Sequence, residues 1–458
     1  MASKIKKLTA LLLTAMMAAT AMVGCNNGGD GDEPVAPATE STTSTASEGQ
    51  AIDITNPETK KFIIDTIADG ADNGKVALTV WAAGEDLDFE KSRIEEFKKD
   101  FADPRITYDI KVRTKGEDKA GGAVIESPQK AADIFSFADD QLSELLKAGA
   151  IAKVPSYYLA TVKAENSDDS IGVSTIDSTL YAYPKTSDNG YFLYYDKSVL
   201  SEDDVKSMDT MIAKAAAKGK NVFFSMSNAW YETGFFFTAG CTIKYENKVQ
   251  TATLNSDEGL AAAKAMCHIA ENKDKGFKGD AGNIGENGYI PQGFQKGELA
   301  AAVIGTWVGP QIKEILGDNT GAAKLPTVLI NGAEKQLESF CGYKLIGVNV
   351  NSKQPFAAHT LAYYLGNEAS QLARYEARGL LPTNKGASDN EKVKTDPAFK
   401  AIEDQRPFSH PQGTSVGGAY WGSGVGSLGG DIVNAAGKLT DDELKLKLKS
   451  IEDNMKIN

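Results

Sequence analysis

The sequence predicts an α/β protein with more than one lobe, in which amphipathic helices cover both faces of largely parallel sheets. Strand patterns alternate with helical patterns from residue 75 onward, and the same alternation recurs in the second half of the chain. The 458 residues, of which 41% are hydrophobic, can bury a large core and exceed the usual size of one domain. Sheets of this class bind ligands beyond the carboxyl ends of their strands.

The first half of the chain forms a βαβ pattern followed by a further strand and helix. Apolar Phe89, Ile94 and Phe97 recur at helical spacing, whereas the β-branched residues before Trp81 indicate a buried strand. The predicted elements are strands at Lys75–Trp81, Ile106–Val112 and Ala132–Phe137, and helices at Phe89–Phe101 and Asp140–Ala148.

The second half repeats this organisation, so a second sheet is expected. Its predicted elements are strands at Val222–Met226, Leu299–Ile304 and Tyr343–Val350, helices at Leu260–Asn272 and Pro355–Leu365, and a mostly helical stretch from Asp431 to Ile457.

The N-terminus predicts export and attachment to a membrane. Basic residues precede the apolar run Leu8–Val23, which is shorter than the roughly 20 residues of a membrane-spanning helix and fits a signal peptide over residues 1–24. Cys25 follows a small residue and resembles the lipidated cysteine of bacterial lipoproteins; a chance cysteine behind an ordinary signal peptide is the alternative. We therefore expect a lipid-anchored protein at the extracellular face of the cell membrane.

Residues 25–74 are predicted to form a flexible tether behind the lipidated cysteine. Asn26–Gln50 is rich in small and polar residues and has almost no large apolar residue, so it cannot offset the entropy of ordering. As a random coil, about 25 to 45 such residues span roughly 30 to 40 Å. Pro57–Asp69 has scattered helical periodicity that Gly70 and Gly74 interrupt, and the sequence leaves the state of this segment open.

Charge and composition exclude several kinds of partner. The formal net charge of -13 would repel a nucleic-acid backbone, so no nucleic-acid partner is expected. The histidines lie far apart, without the spacing of a zinc site, and we predict no metal and no cofactor. The remaining cysteines cannot all pair within the expected monomer, so their disulfide state stays open. They are Cys241, Cys267 and Cys341.

Five segments occur in an order and at spacings that match a known family. They are Leu78–Trp81, Asp133–Gly149, Tyr183–Lys197, Phe294–Trp307 and Gly379–Pro382. Across about residues 75–457, the chain resembles extracellular solute-binding protein family 1, specifically its maltose- and maltodextrin-binding members. The resemblance implies a malto-oligosaccharide ligand, an α-glucan fragment, that is delivered to the permease subunits of an ABC transporter.

The resemblance also implies a type II periplasmic-binding-protein-like fold, in which two α/β lobes joined by chain crossings close on a hinge over the ligand. The first lobe would take residues 75–187 and 341–384, and the second residues 191–338 and 388–458. A ligand that contacts both lobes favours the closed form through its differential contacts.

Aromatic and acidic side chains are the expected sugar ligands. A pyranose has an apolar face of C–H groups, whose burial yields roughly 25 cal/mol per Å², and a rim of hydroxyls that form charge-assisted bonds with carboxylates. By resemblance, the candidates in the second lobe are Asn228, Trp230, Tyr231, Trp307 and Trp421. In the first lobe and near the hinge they are Glu85, Phe137, Asp140, Gln141 and Asp188. Trp81 ends an apolar strand and is expected in the core.

Other functions remain open at this point. A secreted glycoside hydrolase would also place aromatics and two carboxylates around a sugar, but no catalytic motif is recognisable, and we expect no enzyme. The same fold could carry another oligosaccharide, ferric ion, a polyamine or a peptide. Tyr194 and Tyr195 offer phenolates for iron, although alternating strand residues explain them as well. A surface adhesin would bind sugar without a permease.

Overall fold

The computed structural model describes residues 52–246 and 249–456, except for the side chain of Thr414. The predicted signal peptide, the lipidated Cys25 and the stalk up to Gln50 lie outside these residues. Among the described residues, no helix combines the length and the apolar composition that crossing a bilayer requires.

The strands are mostly short, and ten of them build two five-stranded sheets. In chain order they are β1 Lys75–Ala82, β2 Thr107–Thr114, β3 Ile134–Ala138, β4 Thr175–Ile176, β5 Thr179–Leu180, β6 Ala182–Thr186, β7 Phe192–Asp196, β8 Asn221–Phe223, β9 Ile243–Glu246, β10 Val249–Ala252, β11 Phe277–Lys278, β12 Leu299–Ile304, β13 Thr320–Ala323, β14 Thr327–Ile330, β15 Ala333–Gln336, β16 Ser339–Cys341, β17 Lys344–Val348 and β18 Ser409–Pro411.

Helices fill the intervals between strands and cover the sheets. In chain order they are α1 Pro57–Gly70, α2 Leu87–Asp100, α3 Ala120–Glu126, α4 Leu142–Lys147, α5 Ser156–Glu165, α6 Asp168–Val173, α7 Met208–Ala217, α8 Ala229–Ala239, α9 Asp257–Ala270, α10 Tyr289–Gln295, α11 Gly309–Leu316, α12 Pro355–Gly366, α13 Glu368–Arg378, α14 Lys385–Ser388, α15 Glu391–Lys394, α16 Pro397–Gln405, α17 Gln412–Ser415, α18 Gly418–Trp421, α19 Val425–Asn434 and α20 Asp441–Met455.

The first lobe is built on the sheet β2-β1-β3-β17-β6. Strands β1, β2 and β3 are parallel, whereas β17 runs antiparallel to β3 and β6. Alternate residues of β1 are buried, among them Val76, Leu78 and Val80. Every residue of β3 and β6 is buried, because these inner strands have both faces covered.

The second lobe is built on the sheet β11-β8-β12-β7-β13. Strands β8, β11 and β12 are parallel, and β7 runs antiparallel to β12 and β13. All six residues of β12 are buried, at the bounds predicted for this strand. A continuous apolar core joins this sheet to α8, α9 and α19.

Four strands of each five-stranded sheet run in the same direction, as expected for largely parallel sheets, and one strand in each runs antiparallel to them. Strand β17 begins at Lys344, opposite Ala138 at the end of β3. Strand β7 likewise begins at Phe192, opposite Ile304 at the end of β12. Strands β17 and β7 each begin at the edge of the sheet where β3 and β12 end, because the chain has just crossed to that edge from the other lobe.

Three segments connect the lobes and form the predicted hinge. Residues 187–191 join β6 to β7, and residues 337–343 return through β16 to β17. The third connection lies between α13, which packs beside α2 and α12, and α16, which packs on β7 and β13. The short strand β18 follows α16 and pairs in parallel with β16.

Helix α1 lies within the predicted tether and corrects its extent. Ile63 and Ile67 are each 1% exposed and belong to the first-lobe core. The backbone N–H of Ile52 donates a hydrogen bond to the hydroxyl of Thr161 in α5. The chain from residue 52 onward is therefore part of the first lobe, because burial of the isoleucines offsets the cost of ordering the helix.

Candidate functional site

The two sheets turn strand ends toward each other. A 3₁₀ turn at Asp139–Gln141 follows β3, and another at Thr306–Val308 follows β12. The first crossing, residues 187–191, begins where β6 ends. We call the region bounded by these two turns and this crossing the cleft; it is where sheets of this class bind ligands.

Two tryptophans lie side by side on the second-lobe side of the cleft. The ring centroids of Trp230 and Trp307 are 5.9 Å apart, with their planes inclined by 44°. Tyr191 packs against the Trp230 ring at 4.8 Å and supports it. Asn228 accepts a hydrogen bond of 2.9 Å from the backbone N–H of Trp230 and caps α8. The structure thus brings two of the three predicted tryptophans together and gives Asn228 a capping role.

Lys344 reaches this aromatic pair from the first lobe. Its ammonium lies 5.4 Å from the centroid of the Trp307 ring and forms an ion pair of 3.0 Å with Glu117. As the first residue of β17, it stands at the cleft edge of its sheet. Lys344 was not among the residues predicted from the sequence, although a lysine at the start of an otherwise apolar strand is a signal that could have indicated it.

Gln412 connects the two lobes. Its Oε1 accepts a hydrogen bond of 2.9 Å from Trp230 Nε1, and its side chain also hydrogen-bonds Asp140. The next residue, Gly413, lies so close to the first lobe that a Cβ there would be 3.4 Å from the Cα of Asp140. Gln412 was not predicted from the sequence, because the helix that carries it, α17, has only four residues and shows no periodicity.

Two consecutive carboxyl groups, Asp139 and Asp140, lie in the cleft turn of the first lobe. Burial, together with the nearby charge of Asp140, raises the pKa of Asp139 to about 8. Burial also raises the pKa of Asp140 to about 6, although the hydrogen bond from Gln412 opposes this shift. In the described part of the chain, Oδ1 of each carboxyl is buried without a hydrogen-bond partner. Each group therefore has a carboxyl oxygen with which a hydroxyl could form a hydrogen bond.

Asp188 links the first crossing to the second lobe. Its Oδ2 accepts a hydrogen bond from the hydroxyl of Thr306, and its Oδ1 is buried without a partner among the described residues. The backbone carbonyl of Asp188 accepts the hydrogen bond of 2.8 Å that closes the turn to Gly190. The side chain is thus turned into the cleft rather than used to form the turn.

A buried charge network lies behind the first-lobe wall of the cleft. Its members are Asp86, Glu90, Glu117, Lys185, Lys344, Arg374 and Arg378. Burial alone would lower the pKa of Lys185, but the carboxylates around it, Glu117 above all, outweigh burial and raise it. Removing Glu117 would leave the buried ammonium of Lys344 without its ion pair, at a cost of about 3–5 kcal/mol, so the network holds Lys344 in place.

Three predicted ligand residues do not face the cleft, and these predictions are corrected. Phe137 is 0% exposed and packs on Phe135 at 5.4 Å inside the first-lobe core, because both faces of β3 are covered. Tyr231 is 3% exposed and packs on Tyr191 at 4.8 Å. The side chain of Gln141 is bonded to the backbone N–H of Gly121 at 2.7 Å and to a backbone carbonyl at 2.6 Å, which ties α3 to the turn.

The remaining ligand candidates are Trp421 and Glu85, whereas Trp81 was expected in the core. Trp421 is half-buried and packs on Phe340 of the second crossing at 5.9 Å. Glu85 is exposed in the 3₁₀ turn after β1. Trp81 is half-buried against the first-lobe core, and the ammonium of Lys115 lies 5.2 Å from its ring.

The lobes also contact each other outside this polar centre. Tyr245 of β9 donates a hydrogen bond of 2.6 Å to Glu144 of α4. Together with the contacts of Gln412 and Asp188, this bond shows that the lobes are closed on each other in this structure.

Neither a metal centre nor a disulfide is found in the described part of the chain. No group of three or more His, Cys, Asp or Glu side chains there could hold a metal ion. Cys241, Cys267 and Cys341 are free, and burial raises the pKa of each thiol.

Comparison with curated proteins indicates sugar-binding relatives. The chain is 27% identical over 352 residues to the galactooligosaccharide-binding protein of Bacillus subtilis (strain 168), covering 73% of this chain and 79% of that protein. It is 28% identical over 299 residues to the maltodextrin-binding protein MdxE of the same strain, covering 60% of this chain and 67% of that protein.

Solved structures have the same fold. A structure with acarbose is similar with a TM-score of 0.74 at 34% sequence identity, over 83% of this chain and 99% of the other. The maltodextrin-binding protein MalE1 from L. casei BL23, solved without ligand, has a TM-score of 0.67 at 26% identity, over 83% and 99% of the two chains. The curated relatives are binding proteins rather than enzymes. Since residues 92–401 also match the family described as bacterial extracellular solute-binding protein, the chain belongs to that family.

Proposed function

We propose that this protein captures a malto-oligosaccharide in the cleft and delivers it to the permease subunits of an ABC importer. The observation that carries the proposal is the pair of rings Trp230 and Trp307 beside two carboxyl groups: Gln412 joins Asp140 to Trp230, and Asp188 accepts a hydrogen bond from Thr306, the residue before Trp307. Indole rings suit the apolar faces of consecutive glucose units, and carboxyl oxygens suit their hydroxyls. The likeness to maltodextrin-binding relatives supports an α-glucan ligand.

Binding would work by closing the two lobes over the sugar. A ligand that contacts residues of both lobes stabilises the closed form by its differential affinity for that form. The closed form is the one that a permease would recognise.

Calorimetry with a panel of malto-, isomalto-, cello-, xylo- and galacto-oligosaccharides tests the proposal. We expect stoichiometric binding with the malto series tightest, and no new reducing ends after incubation with maltotetraose. No heat with any sugar, together with unchanged X-ray scattering, would refute the proposal, and release of reducing ends would favour the hydrolase.

A galacto-oligosaccharide is the second candidate ligand. It is favoured by the 27% identity to a galactooligosaccharide-binding protein over 73% of this chain. The same calorimetric panel decides between malto- and galacto-oligosaccharides. The two kinds of sugar differ in the orientation of a hydroxyl group, and each buried polar group of the site that is left unpaired costs about 1–3 kcal/mol.

Trp307→Ala should weaken binding of the best ligand by about tenfold or more, because the apolar face of one sugar ring loses its partner. The melting temperature should change little, since the ring is only half-buried. Trp307→Phe, which keeps an aromatic face, is the matched control and should retain most of the affinity. Equal affinity of the wild type and the alanine variant would contradict the assignment.

We also propose that Cys25 carries a lipid that anchors the protein outside the cell. The support is the signal-peptide pattern that ends directly before this cysteine. Metabolic labelling with a palmitate analogue should mark the wild type but not Cys25→Ala, which should be released into the medium. Labelling of both proteins would contradict the anchor.

A further inference from the structure

Gln412 is hydrogen-bonded to two of the proposed sugar ligands at the same time. Its Oε1 accepts the bond of 2.9 Å from Trp230 Nε1, and its amide donates a hydrogen bond to the carboxyl of Asp140. We call these two bonds the Gln412 bridge. The side chain of Gln412 is 7% exposed, so the bridge forms away from bulk water. One side chain thus joins an aromatic residue of the second lobe to a carboxyl of the first.

The bridge determines which parts of Trp230 and Asp140 can contact a ligand. The N–H is the only polar group of an indole, so Trp230 can offer a ligand only the apolar surface of its ring. Oδ1 of Asp140 is buried without a partner among the described residues, and it can still bond a hydroxyl. An apolar ring beside a single carboxyl oxygen matches one C–H face and one hydroxyl of a pyranose.

The backbone around Gln412 is supported from both lobes. Its helix, α17, packs against the first-lobe turn Asp139–Gln141 and against β9 of the second lobe. The side chain of Gln250 in β10 accepts a hydrogen bond of 2.9 Å from the backbone N–H of Gly417 and donates one of 3.2 Å to the carbonyl of Ser415. The main chain therefore fixes the place from which the Gln412 amide reaches its partners.

We propose that Gln412 is a positioning residue that holds the Trp230 ring and the Asp140 carboxyl in the geometry that binds the sugar. The inference rests on the proposed function. Both side chains can rotate about two torsions, and fixing them before the sugar arrives removes part of the entropy cost of binding. Trp230 and Asp140 belong to different lobes, so the complete bridge adds to affinity in the closed form.

Gln412→Met tests the bridge, because methionine keeps the length of the side chain and removes both hydrogen bonds. The affinity for maltotriose, measured by calorimetry, should fall by about threefold to tenfold. Gln354→Met is the matched control, since Gln354 forms two bonds of 2.7 Å with the backbone of β1 inside the first lobe. The control should lower the melting temperature and keep the affinity. Thermal melts verify folding, and Gln412→Ala replaces the methionine variant if that variant does not fold.

A double-mutant cycle separates positioning of the ring from a general effect on α17. Trp230→Phe keeps an aromatic face but has no N–H, so half of the bridge is already absent in this background. Gln412→Met should then cost about twofold or less, compared with threefold to tenfold in the wild type. Equal losses in the two backgrounds would show that Gln412 does not act through the indole and would overturn the proposal.

The pH dependence of binding reports on the other half of the bridge. The hydrogen bond from Gln412 lowers the pKa of Asp140 against the effect of burial, which raises it to about 6. The charged groups near this carboxyl, Asp118 and Asp139, are the same in the variant. The pH range in which the maltotriose affinity changes should therefore move to higher pH in Gln412→Met but not in Gln354→Met. An unmoved range would overturn the proposal.

The outcomes for Gln412 and for the proposed function are separable. If the wild type binds no oligosaccharide of the panel, the proposed function fails and the positioning role fails with it. If the wild type binds sugar and a folded Gln412→Met binds it equally well, only the positioning role is wrong.

Discussion

Lys344 and Lys115 each hold an ammonium over an indole ring, at 5.4 Å from the centroid of Trp307 and 5.2 Å from that of Trp81. The two contacts are chemically alike but differ in place, since only Trp307 lies in the cleft. Lys344 also joins the two lobes, because it belongs to the first sheet and Trp307 to the second lobe. This contact is therefore available only when the lobes are closed.

Lys344→Met should weaken sugar binding by about threefold to tenfold, the equivalent of a cation–π contact of roughly 0.5–1.5 kcal/mol. Glu117 keeps its ion pair of 2.9 Å with Lys185, so the buried charge network survives the change. Calorimetry measures the loss, and Lys115→Met serves as the control outside the cleft. Equal losses for both variants would contradict a role of Lys344 in closure.

Asp139→Asn should flatten the dependence of stability on pH. The folded pKa of about 8 exceeds the ordinary value of 3.8, so between these pH values the native state holds a proton that the unfolded state has released. Stability of the wild type therefore falls as the pH rises through this window, by up to about 1.4 kcal/mol per pH unit, and the amide removes this contribution. Urea unfolding at pH 5, 6 and 7 measures both slopes. Parallel slopes would show that Asp139 is ionised in the native state.

At the scale of elements, α1 shows how two buried side chains convert an expected tether into part of a lobe. Ile63 and Ile67 lie four residues apart on one face of the helix, which packs against α12. Phe62 lies on the outer side and is 50% exposed.

Ile67→Ala should lower the free energy of unfolding by about 2–4 kcal/mol, because it leaves a cavity in the first-lobe core. Phe62→Ala, on the exposed side of the same helix, should cost less than about 1 kcal/mol. Urea denaturation of both variants tests the docking of α1. Equal and small effects would indicate that the helix contributes little to the folded lobe.

Strands with strong local patterns were predictable from the sequence, whereas the directions of side chains were not. The bounds of β12 match the prediction, because a run of apolar residues ends at Gly305. Phe137 follows the family pattern in sequence, yet it faces the core, since the orientation of a residue in β3 depends on the elements that cover each face. Helical periodicity at residues 57–69 was visible, but the sequence alone could not reveal the surface on which α1 packs.

The residues that complete the site come from segments far apart along the chain. Trp230 and its partner Gln412 are 182 positions apart, and no local pattern relates them. Trp230, Trp307, Asp140 and Asp188 were predicted because each belongs to a segment with its own resemblance to the family. The positions of Gln412 and Lys344 depend on how the chain returns from one lobe to the other, which only the folded structure reveals.

At the scale of the whole molecule, the lobes are held together by a few polar contacts rather than by a shared apolar core. Each lobe has its own hydrophobic cores. Tyr245 and Glu144 hydrogen-bond across the rim at 2.6 Å, and Asp188 and Thr306 do so near the hinge. Such contacts can form and break without unfolding either lobe.

Tyr245→Phe should weaken sugar binding by about twofold to fivefold without lowering the melting temperature, because it removes one hydrogen bond of the closed form. Tyr108→Phe is the matched control, since its hydroxyl donates to the backbone carbonyl of Phe101 at 2.9 Å within the first lobe. That variant should lose stability and keep its affinity. If Tyr245→Phe lost stability and kept its affinity, the bond between Tyr245 and Glu144 would have no role in closing the lobes.

The docking of Ile52 and α1 on the first lobe has a mechanical consequence. A force applied at the N-terminal side of the described chain acts on the first lobe alone. Ile52 is hydrogen-bonded to α5 of that lobe, and the chain reaches no hinge segment until residue 187. Such a force would translate or rotate the whole protein, but it would exert no torque between the two lobes. Movement of the second lobe over a ligand is therefore independent of forces that act on the first lobe.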